Sequence, residues 1–322
     1  MEVINNKDVQ LPEILQSTQK PFIQANTFET SLHEIKNGHV IPVFIKDNEP
    51  VISHSDFIEA TFEVVSSIFP SETVLYPSIR VSHPIKGRIP EAKHKPADQL
   101  LESEKTLYYE RMAFIIEIPT IYDEVGENTL SLTVGGIKAY NLDNLYSKKG
   151  ADEHFKIFIG FRNQVCTNLC VWSDGFQGDV RVKSMGQLKL AMHALFTSYN
   201  AANQIDVFKQ LRKYILNEQQ FAHLIGRCRM FHYLPVAEKE MLTPLYLSDT
   251  QLGAVVKDFY KDKSFSRDRS GNINLWKLYN LFTGSNKSSY IDTFLDRSVN
   301  ASDFVLDLKK ILDRKETSWF LN

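Results

Sequence analysis

The chain has 322 residues, 43% hydrophobic and 24% charged, the composition of a folded globular protein rather than a disordered or fibrous one. A formal net charge of -2 gives no global attraction to nucleic acid or to an anionic membrane, so any such binding needs a local patch. Three cysteines do not make a disulfide framework, and no run approaches the roughly 20 apolar residues of a membrane helix.

The opening "MEVINNKDVQLPEILQ" has no basic start followed by an apolar run, so it does not read as a signal peptide; a reduced, cytoplasmic setting is expected. Residues 1–30 read as a polar N-terminal arm. "HVIPVFI" at residues 39–45 predicts a strand, and Pro42 places it at an edge. "SDFIEATFEVVSSIFP" predicts a helix opened by Asp56 with Glu59 and ended by Pro70. Its Phe57, Ile58, Phe62, Val65 and Phe69 fall on one stripe.

The period then changes to two. Ile79 and Val81 alternate with Ser78, Arg80 and Ser82, "TLYYERMAFIIEIPTIY" is long and strand-like, and Leu130, Leu132 and Val134 alternate with Ser131 and Thr133. In "HFKIFIGFRNQV", Phe155, Ile157, Ile159 and Phe161 point one way while Lys156 and Arg162 point the other. Such alternation predicts half-buried, mostly antiparallel strands. Gly135 and Gly136 read as a bulge or turn. Lys148, Lys149 and Gly150 fall in a connection between strands, and "GFQGDVRVKSMG" reads as a hinge or loop.

From Ser184 the period is helical. "SMGQLKLAMHALFTSY" places Leu188, Ala191, Met192, Leu195, Phe196 and Tyr199 on one stripe, and "SDTQLGAVVKDFYKD" opens with a Ser248/Gln251 capping box. "NINLWKLYNLF" and "SDFVLDLKKILDRKE" predict two more helices, with Ser302 capping the second. The expected fold is α+β: an antiparallel β-sheet with a flanking helix over residues 31–183, then a mostly α-helical C-terminal half, residues 184–322, packed on it.

"NLFTGSNKSSYID" superficially suggests a phosphate loop. A P-loop needs two glycines ahead of its Lys-Ser/Thr and a strand before it; here only Gly284 is present, after the helical spacing of Leu275, Trp276, Tyr279 and Phe282. A helix–turn–helix joint is expected instead. Gly284 would take the left-handed position, a serine at 285–289 would cap the next helix, and Lys287 would be solvated or touch an anion.

The main functional lead is "RVSHPIKGRIPEAKHK" at residues 80–95. It holds Arg80, Lys86, Arg88, Lys93 and Lys95 against Glu91 alone, with His83 and His94 adding to the charge. Its prolines and glycine predict a stiff loop, suited to single- or double-stranded DNA or an acidic protein, and Arg162 would extend the patch. The competing reading is a solvated loop whose charges meet Glu102, Glu104 and Glu110. Some tyrosines and Trp172 in the β-rich part have the chemistry to stack bases, although core packing accounts for them as well.

Cys166, Cys170, His223 and Cys228 are the conceivable zinc ligands, but their spacing is wider than that of structural zinc pairs, and core packing is the favoured account of the cysteines. No H-E-x-x-H, G-x-S-x-G or G-x-G-x-x-G is present, so the reading leans to a non-enzymatic protein. The alternatives are an enzyme with a site where sheet meets helices, metal-assisted through those four residues, and a protein–protein adaptor.

"GGIKAYNLDNLYSKK", "FKIFIGFRNQVCTNLCVWSDG", "INLWKLYNLFTGSNKSSYIDTFLDR" and "PSIRVSHPIKGRIPEAK" resemble the bacterial domain-of-unknown-function family 3871. "VCTN" (residues 165–168) with Trp276, Tyr279, Asn280 and Thr283 is also similar to the wider phage/plasmid-like protein family. The resemblance implies an origin in bacterial genomes and their mobile elements, and carries no reaction or ligand with it. Taken with the basic loop, it makes the leading expectation a non-enzymatic mobile-element protein that binds nucleic acid or a DNA-processing partner.

Overall fold

The computed structural model describes residues 21–38, 52–92, 94–144 and 152–321. The edge strand expected at 39–45, Lys93 and the connection at 148–150 lie outside them. The architecture is α+β.

The first half is built on an antiparallel sheet. Its strands are β1 (Phe28–Thr30), β2 (Ser78–Val81), β5 (Arg111–Val125), β6 (Asn128–Ala139), β7 (Glu153–Asn163), β8 (Leu169–Cys170) and β9 (Phe176–Val182). They run in the order β1-β2-β5-β6-β7-β8, with β9 also paired to β7. The stretch read as a hinge is therefore β9, hydrogen-bonded into the sheet. Gly126, at φ 69°, makes the two-residue turn that joins β5 to β6. A register shift between Ile118 and Tyr122 bends β5 around Pro119.

The sheet is not half-buried as the alternation predicted; both faces are covered. On one face lie α2 (His54–Ile68) and α4 (Met185–Ser198), which share a core with Phe114, Ile116, Val134 and Phe155. On the other, Ile115, Ile137 and Phe158 meet Phe294 and Leu295 of α10 (Ile291–Arg314), together with Phe22 and Ile23. β6 and β7 are consequently buried almost end to end, like strands sandwiched between helices. Polar residues on the second face lie inside the protein and find partners there. Lys156 pairs with Asp296 and donates to the main-chain oxygen of Asp292 at 2.6 Å.

Helix α2 starts one turn before the predicted cap. Ser53 accepts from the Asp56 amide, and the Asp56 carboxylate accepts from the Ser53 amide. Gly135 and Gly136 form no bulge; they lie in continuous ladder pairing on both sides. Glycine is required there by close approach. A methyl on Gly135 would overlap the main-chain oxygen of Phe114, and one on Gly136 the Phe57 ring of α2.

The rest of the helical half contains α5 (Ala201–Leu211), α6 (Glu218–Phe231), the short α7 (Val236–Lys239), α8 (Asp249–Lys261) and α9 (Leu275–Asn286). The predicted Ser248/Gln251 capping box opens α8. Two helix–loop–helix units, α5–α6 and α8–α9, are joined by a two-residue antiparallel ladder, β10 (Ile215–Leu216) with β11 (Ile273–Asn274). The α8–α9 loop turns at Gly271, at φ 84°, and is held by the Lys277 ammonium, which donates to the Ser266 main-chain oxygen at 2.9 Å. Ser302 caps nothing: α10 runs continuously through it, and its buried hydroxyl donates to the Val171 oxygen at 2.6 Å. Among the described residues, no helix is long and apolar enough to cross a membrane.

Candidate functional site

The stretch with Gly284 and Lys287 is a structural joint. Gly284 lies inside α9 without a left-handed conformation, and Tyr290 precedes α10 with no side-chain cap. Lys287 is 5% exposed rather than solvated; its ammonium donates to the Cys166 main-chain oxygen and to Thr167 Oγ1 at 2.8 Å. Thr167, at φ 59°, makes the tight turn between β7 and β8. Asn163 Nδ2 donates to Asn280 Oδ1 at 3.2 Å, and Asn168 Nδ2 donates to the Asn280 main-chain oxygen at 2.9 Å. Asn168 of the "VCTN" turn and Asn280 of α9 are thus joined by a buried hydrogen bond, and Lys287 is held by the main chain of the same turn.

The basic segment is not a loop over its whole length. Val81 ends β2, and β3 (Pro84–Arg88) pairs with β4 (Lys105–Tyr109) in a separate ribbon. Several of its cations are already engaged. Arg80 donates to the Thr27 main-chain oxygen at 2.6 Å and to its hydroxyl, fastening residues 25–27 to β2. Arg88 donates to the Lys95 main-chain oxygen, Lys95 pairs with Glu104, and Lys105 pairs with Glu102. Lys86 and His94 are exposed, with Glu102 close enough to Lys86 to feel its charge. Arg162 does not extend the patch. It is 13% exposed and bound to the buried Glu117 at 2.6 Å, because its face of the sheet is covered.

The cysteines sit in packed surroundings. Cys170 and Cys228 are fully buried, and burial pushes both thiols well above their usual range; that of Cys166 is pushed up to about 11. His223 Nε2 accepts from Arg227 Nε at 3.4 Å. Among the described residues, no three His, Cys, Asp or Glu side chains are gathered to hold a metal ion.

The segment's most ligand-like feature lies beside the ribbon. A cleft of about 250 Å³ is lined by Ala25–Thr27, His83, Ile85, Glu110, Arg111 and Tyr290. It forms where the N-terminal strap, the β2–β3 corner, the start of β5 and the start of α10 converge. Arg111 Nη2 is 3.4 Å from Glu110 Oε2, and Arg111 Nε is 3.6 Å from Asp292 Oδ2. Neither approach is a hydrogen bond. Arg111 Nε and Asp292 Oδ1 are sealed from solvent without a hydrogen-bond partner among the described residues. Burial of unsatisfied polar atoms is costly; these two face the protein interior, and the charged groups that line the cleft are Glu110 and Arg111. At the rim, His83 meets the Phe28 ring edge-on at 4.6 Å, and Tyr290 is 64% exposed.

Of this group, the sequence pointed to His83 as an anion contact and to Glu110 only as a partner of the basic segment. The signal for the others was a charged pair, Glu110–Arg111, interrupting the apolar run "TLYYERMAFIIEI". That pair marks where β4 ends and β5 begins.

Comparison with curated proteins and with solved structures finds no match. One family model matches residues 4–321, almost the whole chain, including the joint, the ribbon and the cleft. The chain belongs to that family, described as "Domain of unknown function, B. Theta Gene description (DUF3871)".

Proposed function

We propose that the protein binds single-stranded nucleic acid, with the phosphates passing over the exposed face of the β3–β4 ribbon at Lys86 and one base entering the cleft beside it. The observation that carries this reading is the cleft: Glu110 and Arg111, whose side chains make no hydrogen bond among the described residues, line it together with His83 and the exposed Tyr290 ring. Stacking on aromatic rings together with polar contacts to base edges is how unpaired strands are held. An acidic protein surface is the weaker occupant, because it has no flat ring to fill the cleft beside the exposed Tyr290. A role in a mobile element and kinship with the phage/plasmid-like family belong to the same proposal. They rest on the resemblance of "VCTN" and the Trp276–Thr283 segment alone.

The reading has a quantitative consequence. With Arg80, Arg88, Lys95 and Lys105 already engaged, Lys86 is the cation left among the described residues of the segment, so the logarithmic salt slope should be shallow, about -0.7 for a single strand. The test is fluorescence anisotropy with labelled single- and double-stranded 20-mers over a range of salt concentrations. Single strands should bind more tightly than duplex, with that shallow slope. Tighter duplex binding on a steep slope, or no binding at low salt, would overturn the proposal.

A further inference from the structure

We infer that the cleft reads the base it accepts, and that the base is guanine; this rests on the single-strand reading above. Size sets the first limit. A space of about 250 Å³ is below the usual range for small-molecule pockets and suits one base rather than a nucleotide with its phosphates.

Charge sets the second limit. Arg111 stands between Glu110 at 3.4 Å and Asp292 at 3.6 Å, so two carboxylates outweigh one guanidinium. A phosphate would meet net repulsion there. A neutral ligand that both donates and accepts hydrogen bonds would not.

Hydrogen-bond chemistry sets the third. Glu110 lines the cleft beside Arg111, and among the described residues neither side chain makes a hydrogen bond. A carboxylate accepts best from two parallel donors, and guanine is the standard base with adjacent N–H donors, N1–H and N2–H, on its pairing edge. Its neighbouring O6 is an acceptor for a guanidinium. Asp292, behind Arg111, would hold the guanidinium in place as a positioning residue. Tyr290 would cover the base face, as aromatic rings do for bases taken out of a stack.

The experiment uses the full chain and thymidine 9-mers with one central G, inosine, A, C or T, read by anisotropy. The G oligomer should bind about tenfold more tightly than those with A, C or T. Inosine, which keeps N1–H and O6 but lacks the N2 amine, should fall between. Glu110→Gln should erase the preference while retaining binding to the T tract. Lys86→Ala should weaken all five oligomers by a similar factor without changing their order. Circular dichroism melting would confirm that both variants fold. Equal affinities for all five would overturn the guanine assignment while leaving single-strand binding standing, and a preference surviving in Glu110→Gln would also overturn it. Failure to bind any oligomer would overturn both readings.

Discussion

Lys138 Nζ and Glu153 Oε2 lie 2.9 Å apart, and neither side chain reaches solvent to more than 2%. Asp143 stands on the same ammonium at 2.9 Å, also buried. The remaining capacity of the carboxylates is used by the main chain: Glu153 accepts from the Ile52 amide at 3.0 Å and Asp143 from the His154 amide at 2.7 Å. The ammonium also lies 4.0 Å from the Phe155 ring centroid. This group fastens β6, β7, the start of α2 and the short helix α3 (Tyr140–Asn144) to one point.

Lys138→Met should therefore destabilise the fold by about 3–5 kcal/mol, since it leaves two carboxylates buried without their cation. Adding Asp143→Asn and Glu153→Gln to it should restore part of the loss. Urea unfolding of the single and triple variants measures both. A single variant within 1 kcal/mol of the parent would show that the cluster relaxes to water.

The paired glycines of β6 should respond differently to the same change. Gly135→Ala meets main chain first, the Phe114 oxygen, whereas Gly136→Ala meets the Phe57 ring first and the Lys156 oxygen next. Each should cost about 1–3 kcal/mol, the usual range for overpacking. Phe57→Leu should relieve part of the Gly136→Ala loss and none of the Gly135→Ala loss, as read by thermal melting of the three single and two double variants.

At the joint, Asn163→Ala and Asn280→Ala each remove one side of a buried amide pair at 3.2 Å. Leaving a buried polar group unsatisfied costs about 1–3 kcal/mol. A double-mutant cycle should give a coupling of about 0.5 kcal/mol or more. Additive losses would mean that the two amides do not act as a pair.

Cys166 supplies a pH signature. Burial raises its thiol from the ordinary 9.0 to about 11, so the folded state keeps its proton to a higher pH than the unfolded chain does. Its contribution is fully present below pH 9.0 and is lost as pH rises toward about 11. Stability should fall across that window, and Cys166→Ser should flatten the fall, as measured by urea midpoints from pH 8 upward. Aromatic disulfide reagents should label Cys170 and Cys228 only after unfolding.

Elements set by local chemistry were readable in the sequence. The Ser248/Gln251 box begins α8, and the apolar runs mark β6 and β7. What misled was the identity of the neighbour. A lysine alternating with apolar residues reads as solvent-facing, but Lys156 is covered by α10, more than a hundred residues later in the chain. Gly135 and Gly136 read as a break because no local pattern announces the β5 main chain pressed against the one or the α2 ring of Phe57 against the other. The cleft was hidden for the same reason: its walls come from residues 25–27, 82–85, 110–111 and 290–291, and only their meeting makes a site.

The second face of the sheet also fixes an order of events. Ile115, Ile137 and Phe158 are shielded by Phe294 and Leu295, and the Gln24 and Ala25 amides are fastened to the Lys287 main-chain oxygen. During synthesis, these strands and the strap exist long before their cover leaves the ribosome. A nascent chain stopped ahead of residue 287 would carry an apolar sheet face open to water and a strap held only by Arg80 and by the β1–β2 pairing. Folding of this protein is therefore committed late, by its last third, and truncated or stalled chains are the ones that chaperones would have to hold.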